Sequence, residues 1–274
     1  MTWKNLGAIR ETMKEEVKAA LIQMEIRKGE AGLNLAKALY LLDEAYEKGA
    51  QLVVLPEMWL TDFVLKDPHI HLSWTAKALE NLLATARERN LIIVAGSMME
   101  EEKGKVYNTS FVVTPQGIAG KYRKVHLFEP MGELRVFSPG TRGLVVDTPL
   151  GKLGVIICYD LRFPEFIRPM PFQGVEILCV PAQWPIQRVL HWEILLKARA
   201  VENQFFVLGC NRWGRAGPYT FPGRSLILDP LGEVLASVPR EGVALATLEK
   251  KVMDEYRSQI PSLRDSTLAR KPTL

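Results

Sequence analysis

Cysteine is scarce in this chain: Cys158, Cys179 and Cys210 are the only three in 274 residues. An odd and sparse set excludes a disulfide framework, and a reducing cytoplasm suits it best. No CxxC pair and no His/Cys pairing at zinc spacing occurs, which argues against a structural metal. Of the four histidines, His69 and His71 stand two apart in DPHIHL without further ligands nearby, and they read as loop residues. No apolar run approaches the roughly 18 residues a membrane span needs. The first stretch, MTWKNLGAIRETMKEEVK, is charged throughout and lacks an apolar h-region, so no secretory signal is expected. Neither a Walker A motif nor GxGxxG follows any strand, which speaks against a nucleotide- or phosphate-binding protein. Basic residues form no run: 35 of them against 31 acidic ones leave a net charge of +4, spread along the chain. Neither nucleic acid nor an anionic membrane surface is expected as a partner.

What remains is an ordinary soluble composition, 47% hydrophobic and 24% charged, long enough for a sizeable core. Short apolar runs alternate with helical patterns. VKAALIQ (17–23) reads as a strand, residues 31–48 as a helix stopping at Gly49, and QLVVLPE (51–57) as a strand. SWTAKALENLLATARERN (73–90) reads as a helix with Ser73 as N-cap, followed by the strand LIIVAGS (91–97). This rhythm argues for an α/β fold. The texture then changes. Pro-x-Gly turns at TPQG, TPLG (148–151) and DPLG (229–232) each separate two strand-like runs. Parallel units mixed with hairpins predict two mixed sheets packed together. HWEILLKARAVENQ (191–204) reads as a further helix, and FFVLGC, RSLILD, EVLASV and GVALATL as closing strands. Residues 1–16 are read as an N-terminal extension, 17–274 as a single domain, and the charged stretch from about Lys250 as an extended tail packing on a partner subunit.

Ligands in α/β sheets gather beyond the carboxyl ends of strands. Those ends carry Glu57 after LVVLP, Cys158 after GVII, and Trp184 after EILCVPAQ. The hairpin's second strand runs into KYRKVHLF, with Lys121, Arg123, Lys124 and His126. A carboxylate at the mouth of a buried strand is placed to become a general base. A lysine beside a reactive centre can stabilise an oxyanion. A thiol where an apolar strand meets a polar turn can be a nucleophile. Such a set can perform acyl transfer without histidine. A competing Cys–His pair with His126 lacks an Asn or Asp clearly placed to orient the ring. Cys179 and Cys210 sit inside apolar runs and are read as structural.

LPEMW, YRKVHL and ICYDLRFPE, in that order, resemble the three catalytic signatures of the nitrilase superfamily of carbon–nitrogen hydrolases. The intervals resemble it too, 67 residues from Glu57 to Lys124 and 34 from Lys124 to Cys158. VAGS, GELRVFSPG, AQWP, LLKARAVENQ, GCNRWG and DPLGEVLA extend the likeness over nearly the whole chain. The resemblance implies a four-layer αββα sandwich that pairs into an αββααββα homodimer. It implies a Glu57-Lys124-Cys158 triad and a second glutamate, Glu133, with Glu129 as a nearby competitor. No metal or organic cofactor is implied.

The chemistry implied is hydrolysis of a linear amide through a cysteine thioester, with backbone N–H groups near Tyr159 beside Lys124 at the oxyanion. The wording CYDLRFPE and AQWP is most similar to the ω-amidase branch, whose substrates are short ω-amido acids such as 2-oxoglutaramate and 2-oxosuccinamate. A nitrilase or an N-carbamoyl amino acid hydrolase would use the same triad. Tyr159, Trp184 and Arg162 are the expected substrate-binding residues. Trp184 is either a pocket wall or ordinary core. Arg162 and Arg212 suit a substrate carboxylate, or else structural ion pairs with Asp160 or Glu165.

Overall fold

The computed structural model describes residues 13–64 and 68–267. Its strands are β1 (Glu16–Gln23), β2 (Leu52–Val54), β3 (Ile92–Val94), β4 (Met98–Glu102), β5 (Lys105–Thr114), β6 (Gly117–Arg123), β7 (Leu144–Thr148), β8 (Gly151–Val155), β9 (Ile177–Ala182), β10 (Phe206–Asn211), β11 (Trp213–Ala216), β12 (Tyr219–Pro222), β13 (Leu226–Leu228), β14 (Val234–Ser237) and β15 (Gly242–Glu249). Its helices are α1 (Ala31–Glu47), α2 (Leu72–Arg89), α3 (Pro164–Ile167), α4 (Val189–Asn203), α5 (Lys250–Gln259) and α6 (Ser262–Asp265).

Two large sheets form, ordered β15-β1-β2-β3-β5-β4 with β6 on β5, and β14-β13-β10-β9-β8-β7, while β11 and β12 pair as a small antiparallel ribbon. Each has a parallel centre, β1-β2-β3 in one and β8-β9-β10 in the other, flanked by antiparallel hairpins. The expected turns at TPQG, TPLG and DPLG join β5 to β6, β7 to β8 and β13 to β14.

Period-two alternation sets the layers. Along β1, Val17, Ala19 and Leu21 face the core between the sheets, while Ala20 and Ile22 face α1 and α2. Leu153 and Val155 of β8 and Cys179 of β9 close the inter-sheet core from the other side. Trp192, Leu196 and Ala200 of α4 cover the outer face of the second sheet. Each buried Leu or Ile side chain contributes about 1.5–3 kcal/mol. The result is the expected αββα sandwich. Cys179 and Cys210 lie fully buried in its centre.

Local readings need three adjustments. α2 begins at Leu72, so Ser73 lies inside the first turn and is not its cap; the preceding turn Pro68–His71 already runs into the helix. The stretch from Lys250 is helical, not extended. Lys250–Asp254 and Lys251–Glu255 pair one turn apart, and Met253 is buried in the inter-sheet core. Finally, Met13 is also buried there and donates its N–H to Glu176, so residues 13–16 belong to the packed domain. The rest of the expected extension and the last residues of the tail lie outside the described residues. No helix among the described residues is long and apolar enough to cross a membrane.

Gly96 sits where the sheet meets the turn that carries Glu57. Its φ is +56°, and a Cβ there would stand 2.0 Å from the Pro56 carbonyl oxygen. Ser97 N–H donates to that same oxygen at 3.2 Å, and Ser97 Oγ accepts from Met58 N–H at 3.0 Å. Gly96→Ala is therefore expected to cost at least about 2 kcal/mol, lowering Tm by roughly 4–8 °C and displacing Glu57. Gly104→Ala, at φ +73° in open space, carries only the backbone strain. Equal melting of the two variants would show that the close approach has no energetic consequence.

Candidate active site

Strands from both sheets end at one cleft. Glu57 stands three residues past β2, Cys158 three past β8, and Gln183 directly after β9. Glu57, Glu133, Cys158, Tyr159, Arg162 and Trp184 all line this cleft, together with Phe63, Phe128, Met131, Gln183, Pro185 and Arg188.

Glu57 is buried, and donors surround its carboxylate. Oε1 accepts from Lys124 Nζ at 2.8 Å and from Asn108 Nδ2 at 3.0 Å; Oε2 accepts from Gln183 N–H at 3.0 Å. Gln183 also donates its side-chain amide to the Glu57 carbonyl at 3.0 Å. Lys124 stands just past β6 and is fully buried behind the carboxylates. Its Nζ donates to Glu133 Oε1 at 2.7 Å as well as to Glu57. Burial alone would drive off the ammonium proton, but the charges of Glu133 and Glu57 outweigh it and hold the Lys124 pKa well above its ordinary value.

Glu133 is shared between Lys124 and the backbone, Oε2 accepting from Phe128 N–H at 3.2 Å. Burial pushes its pKa up to about 7, with Lys124 opposing and the Glu57 charge adding to the rise. Gly132, at φ +77°, turns the chain so that Glu133 is buried while Glu129 is exposed in a neighbouring groove. The structure thus puts Glu133, and not Glu129, beside the lysine.

Cys158 opens a 3-10 turn, Cys158–Arg162, with φ +48°, a left-handed conformation costly for a side-chain-bearing residue. Burial, then the Glu57 charge, pushes its thiol pKa well up, so it rests protonated and needs a base. Its Sγ lies 3.9 Å from the Gln183 carbonyl oxygen. The turn is held from behind by Asp160. That buried carboxylate accepts from Ile157 N–H at 2.9 Å, Tyr122 Oη at 2.7 Å and His126 N–H at 2.9 Å, and lies 2.7 Å from His126 Nδ1. His126 therefore does have an aspartate to orient it. Its ring stacks on Phe163 at 3.7 Å and is not among the lining residues of the cleft.

Trp184 serves as wall and as core at once, lining the cleft while packing 5.4 Å from Trp192. Arg162 makes neither of the expected ion pairs among the described residues. Its guanidinium lies 4.7 Å over the Trp184 ring and 3.3 Å from His191 Nδ1. Arg212 is removed from consideration as a substrate ligand. It is fully buried, donates to Gln183 Oε1 at 2.9 Å and pairs with Asp62 at 3.0 Å. Asn108, Gln183, Asp160 and Arg188 escaped the sequence reading. Among the described residues no group of three or more His, Cys, Asp or Glu is placed to hold a metal ion.

Residues 18–258 match the carbon–nitrogen hydrolase family model. The chain is 37% identical over 254 residues to the 2-oxoglutaramate amidase of Bacillus subtilis (strain 168), covering 89% of this chain and 95% of that protein. It is 33% identical over 258 residues to the human (Homo sapiens) omega-amidase, covering 89% and 93%. Among solved structures, a carbon–nitrogen hydrolase from Helicobacter pylori superposes with a TM-score of 0.86 at 26% identity, over 93% of this chain and 96% of that one. A Saccharomyces cerevisiae member of the nitrilase superfamily gives 0.83 at 28%, over 95% and 98%.

Removing the lysine leaves two buried carboxylates unpaired. Lys124→Met is expected to cost about 3–5 kcal/mol at pH 8. Glu133, whose pKa burial already pushes up to about 7, then loses the cation that opposes the rise, so the folded state binds more protons and stability falls as pH rises. Urea unfolding should show a smaller loss at pH 5.5 than at pH 8, and Lys124→Met/Glu133→Gln should recover part of it. A loss independent of pH would contradict the electrostatic account.

Proposed function

The chain belongs to the carbon–nitrogen hydrolase family, and from that premise we propose that it hydrolyses the terminal amide of small ω-amido acids, 2-oxoglutaramate and 2-oxosuccinamate foremost, through a thioester on Cys158. The observation that carries this reading is that the Cys158 thiol lines one cleft with the Glu57 carboxylate, which the buried Lys124 ammonium holds from behind.

Glu57 takes the thiol proton as Sγ attacks the amide carbon. The tetrahedral oxyanion is met by the Lys124 ammonium and backbone N–H groups at Tyr159, each such donor lowering the barrier by roughly 3–4 kcal/mol. Glu57 passes the proton to the departing nitrogen, the C–N bond breaks and ammonia leaves. Glu57 then takes a proton from water, whose oxygen attacks the thioester. Collapse releases the carboxylic acid and returns the proton to sulfur. Glu133 keeps Lys124 charged and aimed. Arg162 faces the cleft as a cation for the substrate carboxylate. Splitting one hard displacement into two is what the sulfur contributes.

The homodimer belongs to the same proposal. Leu190, Ile194 and Val201 form an exposed apolar stripe on α4, and continuation of the sandwich through a second copy would cover it. Light scattering should report a dimer, and Ile194→Asp should shift it toward monomer; a monomeric wild type would remove this part.

Ammonia release from 2-oxoglutaramate, 2-oxosuccinamate, succinamate, glutaramate, a short aliphatic amide, an N-carbamoyl amino acid and an aliphatic nitrile tests the substrate class. The ω-amido acids should be turned over best, Cys158→Ala should lose essentially all activity, and rapid quenching of wild type should trap an acyl adduct on Cys158 by mass spectrometry. Turnover confined to the nitrile or the carbamoyl compound would replace the substrate class. Activity surviving Cys158→Ala would end the thioester mechanism.

A further inference from the structure

One flank of the cleft carries charge that the hydrolytic steps do not use. Arg162 and Arg188 both line it, at the ends of the 3-10 turns Cys158–Arg162 and Ile186–Arg188. Each guanidinium lies over an aromatic ring of the lining, Arg162 over Trp184 at 4.7 Å and Arg188 over Phe128 at 5.3 Å. The backbone of Arg188 is fixed as well, its carbonyl accepting from Trp184 Nε1 at 2.7 Å.

Neither guanidinium has a carboxylate partner among the described residues. Three other half-buried or buried arginines do: Arg123 has Glu100 and Glu102, Arg199 has Glu202, and Arg212 has Asp62. The two acids that share the cleft are already engaged, Glu133 with Lys124, and Glu57 with Lys124, Asn108 and the Gln183 N–H. Burial lowers the Arg162 pKa, and the charge on Arg188 acts in the same direction, so the two cations feel each other. Two like charges converging on a partly desolvated space are relieved by an anion placed between them.

We infer that Arg188 is a specificity-determining residue: with Arg162 it forms a two-guanidinium subsite that takes the free carboxylate of the amide substrate and repels an α-ammonium group beside it. The inference rests on the ω-amido acid reading above and adds what that reading leaves open, the basis for choosing among acids. A single arginine could pair with the carboxylate of a 2-amino acid while the ammonium turned away from it. With a second guanidinium on the same flank, an ammonium on the carbon next to the bound carboxylate stays close to a cation whichever way it turns. A 2-oxo group or a methylene at the same carbon meets no such penalty. Selection thus works by repulsion as much as by attraction.

The test compares wild type, Arg188→Gln and Arg188→Lys on 2-oxosuccinamate, succinamate, L-asparagine and butyramide. Arg188→Gln should raise KM for the two acids by roughly 10- to 100-fold with a much smaller change in kcat. The kcat/KM ratio of succinamate to butyramide should fall by the same factor, and the preference for succinamate over asparagine should shrink. Arg188→Lys, which keeps the charge and loses the fork, should recover part of each effect. An unchanged KM for the acids, an equal loss on butyramide, or an undiminished preference over asparagine would each overturn the inference. Wild type that hydrolyses butyramide but neither acid would overturn the underlying substrate reading, and the inference with it.

Discussion

An ammonium locked between two buried carboxylates organises this molecule. Lys124 is surrounded by protein, and without Glu57 and Glu133 its burial would be prohibitive. The converse also holds, since burial pushes the Glu133 pKa up to about 7 even with the lysine opposing the rise. The three groups come from separate parts of the chain: the turn after β2, the end of β6, and the short loop beyond it. Each is tolerable in the interior only when the other two are present. The cation we propose for the oxyanion is therefore also a structural tie between those segments.

The second constraint runs across the seam between the sheets. Glu57 belongs to one sheet and Cys158 to the other, and Gln183 touches both. Its N–H and side-chain amide hold Glu57, its carbonyl lies beside Sγ, and its side-chain oxygen is anchored by Arg212. The Glu57 carboxylate and the Cys158 thiol are thereby referenced to one residue just after β9. Parallel strands in both sheets direct their carboxyl ends to the same side, which explains why residues distant in sequence converge there.

Much of this was legible from the residues. Period-two runs and Pro-x-Gly turns announced two mixed sheets, and strand ends pointed to Glu57 and Cys158. The lysine became meaningful through the order and spacing of three signatures. Other features depend on backbone direction that no pattern displays. Glu129 and Glu133 are four residues apart and chemically identical; a left-handed Gly132 decides which one enters the protein. Arg188 faces the cleft only because a single 3-10 turn precedes α4. Arg212 reads as a ligand because an arginine suits a substrate carboxylate, and the partner that occupies it, Asp62, lies far from it in sequence. The helicity of Lys250–Gln259 had a readable cue in its charges one turn apart, overshadowed by its polarity.

The left-handed backbone at Cys158 bears on how such a protein can change over generations. A residue with a side chain is strained at φ +48°, whereas glycine is at ease there. Glycine at this position would relax the turn and remove the thiol in the same step. With the thiol as the nucleophile we propose, drift toward greater stability and drift toward loss of activity run along one path at this residue, and selection for catalysis is what would hold the thiol in place.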